Sequence, residues 1–286
     1  MSYLRHLQAC NRFDPDRFLP LILRDRRVGF VRRDKAPALA GPVFAVDDRA
    51  VVFADKLRAP SEITAALIET SASLVARGLI ASRRSEAFAV TEGWGGKLLF
   101  EIDRGAVPFF GTRSYGVHLN GFRPSRQGLE MWIGRRAADK KIAPDKLDNL
   151  VAGGISAGYD ARETLVKESA EEADIPEAMA ARAKPVGAVT YRMELPEGMR
   201  DDVLFLYDLA VEADFVPRNT DGEIASFRIM SFEDCLRLVA ETDEFKFNVN
   251  LVLIDFALRH GAIGPEHPEY LDLLQGLRGA LAAGPK

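Results

Sequence analysis

The sequence predicts an α+β protein, with helices packed on a mixed sheet and a smaller α+β unit ahead of it. Three observations carry that expectation. Strands, a helix, more strands and further helices follow one another along the chain. The length, 286 residues, exceeds one average domain. Charge is split: residues 1–114 carry 18 Lys and Arg against 13 Asp and Glu, and residues 115–286 carry 20 against 29. Three units follow: an N-terminal α+β domain over 1–114, the main domain over 115–260, and a helical extension over 261–286.

In the first unit, residues 3–12 read as a short helix, and "FLPLIL" as an apolar element interrupted by Pro20. "RRVGFVRR" has a strand-like centre. "VFAVDDRAVVFA" reads as two short strands about a "DD" turn, or as one bent strand. "APSEITAALIETSASLVARGLI" is helical, with Ser61 as the expected N-cap and Gly78 as the C-cap. Its apolar positions Ile63, Ala66, Leu67, Ser71 and Leu74 recur at helical spacing. "EAFAVTEG" and "KLLFEIDRG" alternate like two antiparallel strands, and the glycines of "EGWGGK" read as a turn.

In the second unit, "YGVHLNGF" and "LEMWIGRR" are strands joined by the loop "RPSRQG". A charged loop, the strand "NLVAGGI" and an acidic helix follow. Next come the long strands "KPVGAVTYRMEL" and "DDVLFLYDLAV", the strand "FRIMS", and a helix that Ser231 caps. "NVNLVLIDFALRHG" is an apolar helix stopped by Gly261, and "HPEYLDLLQGLRGAL" a final helix. The last residues, "AAGPK", are expected to fray.

Composition narrows the function. At 47% hydrophobic and 28% charged, the chain is ordinary for a globular protein with a real core. Cys10 and Cys235 form no CxxC pair, which disfavours a disulfide framework or thiolate metal site and suits a reducing cytoplasm. No apolar run approaches the roughly 18–20 residues of a membrane span, so neither export nor a membrane partner is expected. The acid-rich second half argues against nucleic acid as a partner.

The chemistry concentrates in "AGGISAGYDARETLVKESAEEADIP". Glu168, Glu171 and Glu172 fall at i, i+3 and i+4 and share one side of a helix, with Val166, Ala170 and Ala173 expected on the opposite, sheet-packing side. Like charges this close destabilise the helix, and a cation relieves them. Mg²⁺ favours oxygen ligands and commonly bridges carboxylates and phosphates. The glycines ahead of the helix let the backbone approach a metal or phosphate closely. Lys167 stands one turn before Glu171 and can pair with it.

This stretch resembles the box of the Nudix (MutT-like) hydrolases: G, five residues, E, seven residues, then R-E-U-x-E-E-x-G-U, with U apolar. Gly153 matches the opening glycine, Lys167 the Arg, Glu168, Glu171 and Glu172 the later glutamates, and Ile175 the final apolar position. Tyr159 stands for the first Glu, Ser169 for the apolar residue and Asp174 for the last Gly. The flanks "GVHLNGF", "KLDNLVAGG" and "DGEIASFRIMS" are similar to a Nudix subfamily that carries an extra N-terminal domain and is related to thiamine pyrophosphokinase.

The resemblance implies a Nudix α/β/α sandwich that cleaves a P–O–P bridge by water attack, with Mg²⁺, or Mn²⁺ in its place. It implies that Gly153, Glu168, Glu171 and Glu172 hold the metal and that Lys167 orients Glu168 or Glu171. The first Glu of the box is largely structural there, and Asp160 is a neighbouring acid that can take over part of its role. The general base comes from the box helix, as Glu168 or Glu172, or from the later Glu223. Arg135, Arg136, Lys140 and Lys141 are the cations placed to reach substrate phosphates, although surface solvation explains each as well.

The expected partner is a small-molecule diphosphate, with thiamine diphosphate or its oxidised analogues implied by the subfamily. Two roles stay open for the N-terminal domain: covering the far end of the substrate, or pairing two copies as a homodimer. Isopentenyl-diphosphate isomerase chemistry fits poorly, because it needs a placed Cys and a His-rich metal site. A module that binds a nucleotide or diphosphate cofactor without turnover is the alternative, favoured by Tyr159 and Asp174.

Overall fold

The computed structural model describes residues 2–126 and 128–279. Gln127, in the expected "RPSRQG" loop, and residues 280–286, which include the end of the expected final helix and the tail expected to fray, lie outside the described residues. Helix α1 (Leu4–Cys10) is followed by strands β1 (Phe18–Leu23) and β2 (Arg26–Arg32), which pair antiparallel. "FLPLIL" is thus one strand, and Pro20 does not break it. The neighbouring strand β4 (Val51–Phe53) begins opposite Leu21, so at Pro20 that edge has no ladder needing its missing N–H.

Strand β3 (Phe44–Val46) forms a hairpin with β4, completing a four-stranded sheet in the order β2-β1-β4-β3. Helix α2 (Pro60–Ala76) buries Ile63, Leu67, Ser71 and Leu74. Its N-cap is Ala59, not Ser61. Pro60 occupies the first turn, where its missing N–H costs nothing, and the Glu62 carboxylate accepts from the Arg58 and Ala59 amides at 2.9 Å each. Strands β5 (Ala87–Thr91) and β6 (Leu98–Asp103) make a separate hairpin, and the short helix α3 (Val107–Phe110) closes this core around Phe44, Phe53, Phe100 and Phe110.

The second unit is built on β7 (Arg113–Ser125), β8 (Gly128–Arg136), β9 (Leu147–Asp148) and β10 (Val151–Gly154). After helices α4 (Ala161–Ala173) and α5 (Glu177–Ala180) come β11 (Lys184–Glu194), β12 (Met199–Ala210) and β13 (Ile224–Ser231). Helices α6 (Phe232–Glu241), α7 (Phe247–Arg259) and α8 (Tyr270–Gly276) follow. The mixed sheet runs β11-β12-β7-β8-β13, with β10 added to β7 and β9 to β8.

Strand β7 changes partner along its length. It pairs with β10 from Gly116 to Leu119 and with β8 from Phe122 onward, so the sheet splays where the glycine loop leaves β10. Both faces are covered, which makes the expected α/β/α sandwich. Helix α4 packs on one face over Val117, Leu119, Val151 and Leu209. On the other, α6, α7 and α8 pack over Met131, Ile133, Val189 and Leu206, joined by Leu7 and Cys10 of α1.

The first helix therefore packs with the second unit rather than with the N-terminal core. Cys10 and Cys235 share this one core, and burial pushes both thiols up to about 12, out of the range of a nucleophile. Among the described residues no helix is long and apolar enough to cross a membrane.

The two units meet at the glycine loop. The Ala157 amide donates to the Ala87 carbonyl at 2.7 Å. At the tip of the β5–β6 hairpin, Trp94 lies over Tyr115 and Phe205, with ring centroids 4.7 and 4.4 Å away.

Candidate active site

Helix α4 starts and stops by identifiable chemistry. Asp160 is its N-cap: its carboxylate accepts from the Glu163 amide at 2.8 Å, and the Glu163 carboxylate accepts from the Asp160 amide at 2.9 Å. At the other end Asp174 adopts φ 53°, the left-handed turn that a glycine takes most easily, and the Ile175 amide returns to the Ser169 carbonyl at 3.0 Å. The departure at Asp174 is thereby absorbed in the backbone.

An acid in a left-handed residue, beside a helix C-terminus, still carries a cost. Its ion pair with Arg218, at 3.3 Å and well exposed, adds little. Asp174→Gly is therefore expected to stabilise the fold by roughly 1 kcal/mol, about 2 °C in Tm. A thermal melt that moves downward would show that the cap is satisfied by the aspartate itself.

The three glutamates are not equivalent. With Leu165 as the centre of the buried face and about 100° per residue, Glu172 lies about 20° away, Glu168 about 60° and Glu171 about 120°. Exposure follows this order: Glu172 is 3% exposed, while the side chains of Glu168 and Glu171 are 19% and 48% exposed. The sheet-packing side is thus Leu165, Ser169, Glu172 and Ala173. The expected apolar face of Val166, Ala170 and Ala173 is corrected accordingly, for Ala170 is exposed and Val166 half-buried.

Each carboxylate has a distinct neighbour. Glu172 Oε2 accepts from the Ala152 amide at 2.9 Å. Glu168 lies against Gly153, where a Cβ would fall 2.4 Å from its Cγ, so only glycine leaves the side chain this place. Lys167 Nζ donates to Glu171 Oε2 at 2.6 Å and to Glu168 Oε1 at 3.3 Å, as its position predicts. Burial works against the Lys167 charge, but these two carboxylates outweigh it and hold the ammonium above its usual range.

Burial pushes the Glu172 carboxyl well above the ordinary range. The Ala152 amide opposes that shift, and the charges of Asp148, Glu168 and Glu223 reinforce it. Glu168 is raised first by burial, with Lys167 opposing and Glu171 and Glu223 adding. The donors here are all oxygens, and two of the carboxylates are costly to ionise as they stand. Such a set suits a hard divalent cation. Among the described residues no three His, Cys, Asp or Glu side chains already stand together as a metal cage. Lys167 holds Glu171, and the Ala152 amide holds Glu172.

Glu223 immediately precedes β13, and its charge is felt at both Glu168 and Glu172. Its carboxylate pairs with Lys140 at 2.5 Å, and its carbonyl accepts from the Ala137 amide at 2.9 Å. Arg135 donates to the Asp145 carbonyl at 2.7 Å, and Lys141 reaches Ser82 of the N-terminal unit at 2.9 Å.

Arg136 does not serve as a phosphate ligand. It is 7% exposed, with its guanidinium on Asp148 at 2.8 Å and on the Ile142 and Ala143 carbonyls. Its place at the inward end of β8 turns it into a brace for the 137–146 loop.

The sequence reading missed what lies behind Glu172. Asp148 is buried between Arg136 and Lys246, whose Nζ is 3.2 Å away. An acid between Leu147 and the apolar pair Leu150 and Val151 was a usable signal; Lys246, far along the chain at the head of α7, had none. Beyond it, His118 Nδ1 meets Asn149 Oδ1 at 2.7 Å, Asn149 donates to Asn120, and Asn120 donates to Asp208. Burial lowers the His118 ring to about 4, so it is neutral at physiological pH.

Residues 118–250 match the family model described as the NUDIX domain, and residues 2–114 match one described as a domain of unknown function, DUF4743. The chain is 36% identical over 291 residues to Nudix hydrolase 20, chloroplastic, of Arabidopsis thaliana, covering 97% of this chain and 78% of that protein. It is 38% identical over 284 residues to Nudix hydrolase 24, chloroplastic, of the same plant, with the same shares covered. Among solved structures, the Deinococcus radiodurans protein DR0079 aligns with a TM-score of 0.47 and 19% identity, over 59% of this chain and 97% of that one.

Proposed function

Because this chain belongs to the Nudix hydrolase family and is a Nudix-type diphosphate hydrolase, we propose that its substrate is thiamine diphosphate or an oxidised analogue of it, cleaved to the monophosphate and phosphate. Nudix hydrolases generally use divalent metals, usually Mg²⁺. The observation that carries the site assignment is Glu172 on the Ala152 amide with Glu168 against Gly153, the carboxyls of both raised first by burial.

Glu168, Glu171, Glu172 and the Gly153 carbonyl would hold Mg²⁺, or Mn²⁺ in its place. When bound, the ion neutralises charge on the diphosphate and acidifies the attacking water. Glu223, whose charge reaches both carboxylates, would accept the proton of that water. Lys167 orients Glu171 and Glu168. Arg135 and Lys141, on the rim of the 137–146 loop, meet the outer phosphate. No nucleophilic Cys or Ser enters the reaction. The two buried, free thiols support a reducing compartment, the cytoplasm.

The substrate assignment rests on the resemblance of the flanking segments, since fold alone does not fix a substrate. A screen of diphosphates with Mg²⁺ and phosphate detection tests it. Thiamine diphosphate or its oxidised analogues should give the monophosphate. Equal turnover of NADH, ADP-ribose and 8-oxo-dGTP, with none on the thiamine compounds, refutes the assignment.

A further inference from the structure

The box carries a tyrosine where an acid is expected, and Tyr159 is exposed, at the surface end of the glycine loop. Asp160 does not substitute for the missing acid. Its carboxylate is directed at the Glu163 amide and caps the helix. An acid nevertheless grips this loop, and it comes from the other domain. Glu86 Oε1 accepts from the Ser156 hydroxyl at 2.6 Å, while its Oε2 accepts from Arg104 at 2.7 Å. The next residue continues the grip, with the Ala87 carbonyl taking the Ala157 amide. One residue further along, Phe88 fills the space over Gly154, where a Cβ would come within 2.7 Å of its Cζ.

We propose that Glu86 is the positioning carboxylate of the glycine loop, supplied by the N-terminal domain in place of the acid absent at Tyr159. The N-terminal domain then completes the hydrolytic site rather than merely accompanying it. The inference rests on the reading of 153–175 as that site.

Several features agree with this assignment. The loop from Ala152 to Gly158 contains no charged residue of its own, so nothing within it can fix its conformation electrostatically. Burial pushes the Glu86 carboxyl up, but the hydrogen bonds from Ser156 and Arg104 and the charges of Arg104 and Lys167 outweigh it. They hold it below the usual carboxylate range, so it stays ionised. Lys167 is thus within the field of Glu86 as well as of Glu168 and Glu171. A carboxylate accepting from a hydroxyl and a guanidinium fixes both partners more firmly than a neutral acceptor does. The loop it fixes leads directly from Gly153, against which Glu168 rests, to the cap of α4. Its action on the chemistry therefore runs through the backbone, and Glu86 is not a catalytic residue.

The test uses the full chain and four proteins: the parent, Glu86→Gln, Glu86→Ala and the double variant Glu86→Gln with Tyr159→Glu. Hydrogen exchange of the amides from Ile155 to Tyr159 is read without ligand. Turnover is read with Mg²⁺ and thiamine diphosphate, and with ADP-ribose. Glu86→Gln is expected to speed loop exchange and to lower kcat by about tenfold, with KM little changed. Glu86→Ala should do so more strongly. Tyr159→Glu in the Gln background should restore most of both, because it returns an acid to the same loop.

Loop exchange and kcat within twofold of the parent in Glu86→Gln overturn the inference. So does a loss that Tyr159→Glu leaves untouched while the melting temperature stays the same. A parent inactive on every diphosphate overturns the functional reading alone, and the exchange measurements then still decide the role of Glu86.

Discussion

Glu172→Gln is expected to lower Mg²⁺-dependent diphosphate hydrolysis by about a thousandfold while raising the metal-free stability of the fold at pH 8. The two effects have one cause. Glu172 is buried against the sheet with its Oε2 on the Ala152 amide, and burial together with Asp148, Glu168 and Glu223 raises its carboxyl well above 4.5. Gln keeps the shape and can still accept from that amide, so the helix keeps its seat. What it removes is the negative charge that a hard cation requires.

The sign of the pH effect follows. A carboxyl raised in the fold binds its proton more tightly there than in the unfolded chain, so its stability contribution is complete below about 4.5 and is lost as pH rises through the folded value. The Gln variant lacks that loss and should be more stable at pH 8 by roughly 1–3 kcal/mol without metal. Added Mg²⁺ should then raise the melting temperature of the parent and leave the variant unmoved. Turnover within tenfold of the parent, or a variant that melts lower at pH 8, would falsify the metal-site assignment.

How much of this was legible in the sequence depends on the distance over which each residue is determined. The hairpins β3–β4, β5–β6 and β11–β12 could be read because alternation and turn residues are local signals. So could the Ser231 cap of α6, confirmed by its hydrogen bond from the Asp234 amide at 3.1 Å. Pro20 misled because its tolerance depends on where a neighbouring strand begins. Ser61 misled because the helix already starts at Pro60, with Ala59 as its N-cap and Glu62 reaching back to the Arg58 and Ala59 amides.

In the site, the register of Glu168, Glu171 and Glu172 was readable, but their burial was not read correctly. The same helical angle that groups them also puts Glu172 beside Leu165. Placing all three opposite the sheet-packing side overlooked that the buried stripe is Leu165, Ser169, Glu172 and Ala173. Arg136 was misassigned for a different reason. It adjoins Arg135 in sequence, but successive strand residues face opposite ways, and its side chain points at Asp148. The contribution of Glu86 was beyond any local reading, since it and Ser156 lie in different domains.

Asp148→Asn should be the most damaging single change to stability among the residues of the site, costing about 3–5 kcal/mol. Asp148 Oδ2 receives Arg136 at 2.8 Å and Lys246 at 3.2 Å, and Oδ1 accepts the Asn149 amide at 2.9 Å. The side chains of both cations are largely buried, 8% and 13% exposed, so the substitution leaves two enclosed positive charges without their common partner. At about 2–4 °C per kcal/mol, the melting temperature should fall by roughly 10 °C.

Burial works against the ionised Asp148, yet Lys246, His118 and Arg136 outweigh it and hold the carboxyl below 3.8. Its contribution is therefore present above pH 3.8 and is lost as pH falls through the folded value. The gap between parent and variant should be full at pH 7 and close in that acid window. A second change separates charge from packing: Lys246→Met added to Asp148→Asn removes one of the stranded cations and should recover part of the loss. A gap that persists unchanged into strong acid, or a double variant less stable than the single, would mean that Asp148 acts through its hydrogen bond to the Asn149 amide rather than as the counter-ion. The triad ties the 137–146 loop through Arg136 and the head of α7 through Lys246 to β9, two residues ahead of the strand β10 that enters the glycine loop. Its loss should therefore also loosen the seat of Glu172, and activity should fall further than the unfolded fraction alone accounts for.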